Sequence, residues 1–180
     1  LGLTGILLFL YSDEEAYPAL TYVITEAMQG RAETLLQAAD DLDGRDDHFA
    51  AFPAMSCADW PDEGIDAAFD SWQEAAAEGG VVTRHMGVQL PCEVWTADSA
   101  PKLRLTAADA PELIVIGTTG DSATPYEHAV SMAEQLVGGV LVTYDGAGHG
   151  SVLGGDECLA RIAAEFFADG TLPEPGTTCS

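Results

Sequence analysis

Two apolar runs, LIVIG at Leu113–Gly117 and GVLVTY at Gly139–Tyr144, flank the segment SATPYEHAVSMAEQLV. The first run is apolar throughout and marks a strand covered on each face, the habit of parallel sheets, and the second reads as the next strand. Pro125 sits where the first turn of a helix accepts proline, and Pro125 to Val137 carries a helical pattern. A helix joining two neighbouring strands makes them parallel, because such a crossover returns the chain to the starting end of the sheet. Both strand exits then lie at one end. Asp121 follows the first exit, in GTTGDSATP, and His149 follows the second, in DGAGHG, so the topology brings a carboxylate and an imidazole together.

The pattern extends in both directions. FAAFPAMSC (Phe49–Cys57) reads as a short buried strand, and Pro61–Glu78 as a helix with Ile65, Phe69 and Trp72 on one side, ended by Gly79-Gly80. Asp156–Phe167 reads as the last helix. From residue 49 onward the order is strand, helix, strand, helix, strand, helix, which predicts an α/β fold with helices packed on a parallel sheet. Upstream, Asp13 to Asp41 predicts two helices broken at Gly30, with Tyr17, Leu20, Val23, Ile24 and Met28 on one face and Ala32, Leu35, Leu36 and Ala39 on another. DLDGRDDH (Asp41–His48) is a charged turn without the ligand spacing of a calcium loop. The expected division is a helical portion at 1–48 and a core at 49–180.

Charge narrows the partners. Thirty Asp and Glu oppose six Lys and Arg, a net charge of −24, which would repel nucleic acid and anionic membrane surfaces. The bland meaning is solubility; the single lysine, Lys102, also suits adaptation to high salt. The apolar opening LGLTGILLFLY is shorter than the roughly 20 residues a membrane-spanning helix needs. It also lacks the basic start and small-residue cleavage site of a signal peptide. With no initiator Met, residue 1 is expected not to be the natural start.

Cys57, Cys92, Cys158 and Cys179 form an even set without CxxC spacing, which disfavours zinc and leaves three disulfide pairings open beside four free thiols. Pairing neighbours along the chain is the simplest choice, and Cys158 with Cys179 would tie down the Pro- and Gly-rich tail GTLPEPGTTCS. Bridges imply an oxidising compartment.

A carboxylate beside His149 would fix the imidazole tautomer and stabilise the imidazolium, making His149 a general base. Asp121 is the candidate partner, although its position ahead of a helix also suits a cap or Asx turn. Asp145 is a rival on the same loop as His149. The other histidines, His48, His85 and His128, are scattered without H-E-x-x-H spacing, so no metal and no cofactor is expected.

The stretch from Pro111 to Gly150, followed by Cys158 and FFADGTLPEPGTTC, closely resembles the C-terminal part of tripeptidyl aminopeptidase-like α/β-hydrolases. These are secreted actinobacterial serine peptidases related to proline iminopeptidases. The D-x-x-TP, GHG and G-x-LP-x-x-G-x-x-C elements occur in order, and AMSCADWP and LPCEVW upstream also look like this family. The resemblance implies that Asp121 is the triad acid, that His149 is the triad base, and that residues up to about 45 belong to a helical cap. It also implies a Ser nucleophile in a G-x-S-x-G elbow before both. None of the serines, Ser12, Ser56, Ser71, Ser99, Ser122, Ser131, Ser151 and Ser180, has that glycine frame.

Three functions follow as expectations. In the first, the chain is the C-terminal portion of a secreted peptidase acting on free amino termini, with the serine on an N-terminal half of the same enzyme as its partner. Asp13, Glu14, Glu15 and Glu26 are then candidates to hold the substrate ammonium group. The second keeps the triad and makes the substrate an ester or lipid. The third is a non-catalytic interaction fragment.

Overall fold

The computed structural model describes residues 2–43, 46–59, 64–86, 92, 100, 101 and 103–180. They divide into two compact units, one made of Gly2–Ala38 with Arg104–Ser180 and the other of Ala39–Leu103.

In the first unit, α1 (Gly2–Leu10) is apolar on all sides. A short 3-10 turn at Glu14–Ala16 leads into α2 (Tyr17–Met28), with Pro18 in its first turn. Gly30 adopts φ +86° and breaks the chain before α3 (Glu33–Asp43), as the glycine at that point predicts. Val23 of α2 and Leu35 and Ala39 of α3 are buried on the expected faces, whereas Tyr17, Met28 and Leu36, expected on the same faces, are exposed, and Ala38 is buried instead.

Next comes the sheet. β1 (Leu113–Gly120) pairs in parallel with β2 (Gly139–Ala147), and α6 (Tyr126–Gln135) makes the crossover. Gly117 lets that helix approach: a Cβ there would stand 2.7 Å from Ala129 Cβ and 2.9 Å from the Tyr126 ring. α7 (Glu157–Asp169) starts at Asp156, whose side chain accepts from the Leu159 N–H, and stops at Gly170 with φ +78°. A two-residue strand, β3 (Thr178–Cys179), pairs in parallel with Thr143 and Tyr144 of β2. Val142, Leu159, Ile162 and Cys179 form the buried core between sheet and helix, with Ile114, Ile116 and Tyr144 against it. Each such fully buried aliphatic chain contributes about 1.5–3 kcal/mol.

Cys158 and Cys179 are bonded, fastening β3 to α7 and holding the tail in place. In the chain-entropy model a loop of this size contributes about 3 kcal/mol.

In the second unit, α4 (Asp46–Asp59) occupies the segment predicted as a strand. That expectation is corrected: FAAFPAMSC is alanine-rich, and alanine is the strongest helix former, while nine residues are too few to separate a buried strand from a helix by pattern. α5 (Ile65–Met86) covers the predicted helix from Ile65 onward, residues 61–63 lying outside the described ones, and contains non-helical backbone at Gly80 (φ 64°, ψ −136°), so two helical runs meet at the expected stop. Phe69 and Trp72 pack edge to face on α5, and Cys57 is bonded to Cys92. The middle of DLDGRDDH, Gly44-Arg45, and most of LPCEVW lie outside the described residues.

Candidate active site

The strand pair places Asp121 and His149 at the same end of the sheet, and a bulge completes the approach. Thr118 of β1 is opposite Tyr144, whereas Gly120 is opposite Ala147, so β2 carries one extra residue there. Such an insertion bends the strand and re-aims the residues beyond it. Thr119 Oγ donates to Asp145 Oδ1 at 3.0 Å across the irregularity. The carboxylate of Asp145 is therefore engaged in holding the bulge.

His149 Nδ1 stands 3.0 Å from Asp121 Oδ2 and 3.2 Å from Oδ1. The Asp121 carboxylate also accepts the Ala123 N–H at 2.8 Å, the Thr124 N–H at 2.9 Å and the Thr124 hydroxyl at 2.9 Å. Burial pushes this carboxyl up, but the hydrogen bonds from the Thr124 N–H, His149, the Ala123 N–H and the Thr124 hydroxyl outweigh it and hold the pKa below its ordinary value. An ionised carboxylate only accepts, so the proton on the neutral imidazole sits at Nδ1. The lone pair is then left at Nε2. Asp121 forms its Asx turn and pairs with His149 at once, so these two sequence readings are compatible.

Exposure divides the pair by role. The Asp121 side chain is 8% exposed and the His149 side chain 40%. His149 lines an open hollow of about 450 Å³, with Tyr11, Ser12, Asp13, Ser151 and Leu153 among its other walls. Its backbone N–H donates to the Tyr11 carbonyl at 2.9 Å, and the loop is held again where Thr118 Oγ, on a buried residue, donates to Ser151 Oγ at 2.9 Å. Ser151 opens a 3-10 turn, Ser151–Leu153, which fits a turn serine.

The acidic residues considered for an ammonium group separate. Asp13 lines the hollow, yet its carboxylate caps the turn at Glu15 N–H (3.1 Å). Glu26 is bound by Arg31 at 2.6 and 2.5 Å, and that guanidinium lowers its pKa. Glu14 and Glu15 are exposed.

His128 is exposed on α6, and the side chains of His48 and His85 lie outside the described residues. Among the described residues, Asp156, Cys158 and Cys179 are close enough to share an ion, but both sulfurs are consumed by the disulfide. No helix among the described residues is long and apolar enough to cross a membrane.

Sequence reasoning missed Thr124, Thr118 and Tyr11. The D-x-x-T spacing was a usable signal for Thr124, since a threonine three residues after an aspartate can return its hydroxyl to that carboxylate. Nothing local marked Tyr11.

The family described as TAP-like protein matches residues 75–179, a span that contains both strands, Asp121, His149 and the tail disulfide. The chain belongs to that family. Its parallel strands and flanking helices are a partial α/β-hydrolase fold, as this TAP-like membership requires. It is 33% identical over 191 residues to Carboxylesterase B of Mycobacterium tuberculosis, covering 98% of this chain and 36% of that protein. It is 31% identical over 200 residues to Serine protease Hip1 of the same organism, covering 99% and 36%. Similarity to the Tripeptidyl aminopeptidase of Streptomyces lividans is 27% over 95 residues, 52% of this chain and 18% of that protein. The chain thus spans about a third of the length of the first two of these relatives (36%).

Proposed function

We propose that the chain supplies the acid, Asp121, and the base, His149, of a Ser–His–Asp triad in a serine hydrolase. The nucleophilic serine and the oxyanion donors lie on a part of the protein outside these 180 residues. The observation that carries the reading is the 3.0 Å contact between His149 Nδ1 and the Asp121 carboxylate, a side chain only 8% exposed, beside an open hollow.

In this mechanism the serine hydroxyl attacks the substrate carbonyl while its proton passes to Nε2 of His149. Asp121 stabilises the imidazolium and keeps the ring in register. The imidazolium then gives that proton to the leaving group, so an amine or alcohol departs and an acyl-enzyme remains. Water, deprotonated by the same Nε2, cleaves the acyl bond and returns the serine hydroxyl.

The substrate class we infer is the peptide with a free amino terminus, supported by relatives named Serine protease Hip1 and Tripeptidyl aminopeptidase. Export to an oxidising compartment is part of the same proposal, supported by both disulfides. An ester-hydrolysing reading has its own support in the relative named Carboxylesterase B.

Steady-state kinetics of the full-length protein on tripeptidyl and aminoacyl anilides against short p-nitrophenyl esters test the substrate. Higher kcat/KM on anilides, lost when the amino terminus is acetylated, is expected. A preference for esters that ignores acetylation would replace the peptidase reading with the esterase one.

A further inference from the structure

The carbonyls that end a helix have no partners within it. At the end of α1, two of them are taken up by the two loops that carry the acid and the base. Ser122, next to Asp121, donates its hydroxyl to the Leu10 carbonyl at 2.7 Å across 112 residues of sequence. The His149 N–H donates to the next carbonyl, that of Tyr11, at 2.9 Å. The Tyr11 ring meets the imidazole edge to face, with centroids 5.4 Å apart and planes at 76°. One stretch, Leu10-Tyr11, therefore touches both loops.

The contact of Nδ1 with Asp121 holds one edge of the imidazole, and 40% of the side chain is exposed. The Tyr11 ring, set edge to face against the imidazole, opposes tilting of the ring and so keeps Nε2 aimed.

We propose that Tyr11 is a positioning residue for His149, its carbonyl fixing the loop and its ring fixing the imidazole. This rests on the assignment of His149 and Asp121 to a triad. The contacts use the ring and the backbone of Tyr11, not its hydroxyl, so Tyr11→Phe keeps them and Tyr11→Leu removes the ring contact alone.

The test uses the full-length protein with Y11F, Y11L and H149Q. Two quantities are read: the rate of fluorophosphonate labelling, and the low-field proton NMR signal of the His149 Nδ1–H held by Asp121. Y11F should match wild type in both. Y11L should label about tenfold more slowly or worse, as a displaced base does, with its Nδ1–H signal broadened and its thermal unfolding still cooperative. Should Y11L not fold, Y11M carries the same prediction.

A Y11L protein that labels at the wild-type rate with a sharp signal overturns the proposal. So does a Y11F protein as impaired as Y11L. If wild type and H149Q are equally unlabelled, the triad reading is what fails, and the NMR signal alone still decides whether Tyr11 orders His149.

Discussion

A Cβ placed on Gly148 would stand 2.9 Å from both the carbonyl carbon and the carbonyl oxygen of Ser12. Gly148 also has φ +97°, a backbone conformation that side chains resist. The residue before the candidate base is thus glycine for two independent reasons. Gly148→Ala should destabilise the protein by about 1–3 kcal/mol and slow serine labelling, because the strain is relieved by moving the His149 loop. Thermal unfolding and labelling of the same preparation check this, and an alanine variant with wild-type values for both would refute the loop's tight seating on Ser12.

Asp121 ties stability to acid pH. Its folded pKa is lowered, so the ionised form is the one the fold favours. The stabilisation is fully present above the ordinary carboxylate range, about pH 4, and is lost as pH falls through the lowered folded value. Asp121→Asn cannot titrate and should be less stable than wild type at neutral pH, with the gap closing in acid. Urea unfolding over a pH series measures it; a gap that persists unchanged to about pH 2 would mean that Asp121 is not held ionised by its four donors.

The tail depends on one bond. Cys158 and Cys179 join α7 to β3, and β3 pairs over only two residues of β2. Replacing both cysteines by alanine should cost about 3 kcal/mol and raise amide exchange at Thr178 and Cys179 before the rest of the sheet. Hydrogen exchange read residue by residue distinguishes this from a global loss, and protection of β3 equal to wild type would show that strand pairing suffices.

The strand–helix–strand unit from Leu113 to Ala147 was legible in the sequence because two apolar runs and a helix-starting Pro125 point the same way. So was the proximity of Asp121 and His149, since parallel topology fixes which ends meet. The helix at Asp46–Asp59 was not legible, because an apolar run of nine residues bounded by charge suits either element. The bulge that engages Asp145 and the grip of the Leu10 and Tyr11 carbonyls escaped for a different reason. They rest on backbone geometry between segments far apart in the chain, which leaves no periodic trace.

The central claim is that His149 activates a serine with Asp121 behind it. Fluorophosphonate labelling of the full-length protein, with intact mass of each labelled chain, tests it most directly when wild type, His149→Gln and Asp121→Asn are compared. The account predicts one probe per wild-type molecule, on a serine outside these 180 residues, and labelling slowed by about 10³-fold or more in both variants. Wild-type labelling rates in His149→Gln, or a probe seated on a serine within residues 1–180, would contradict it.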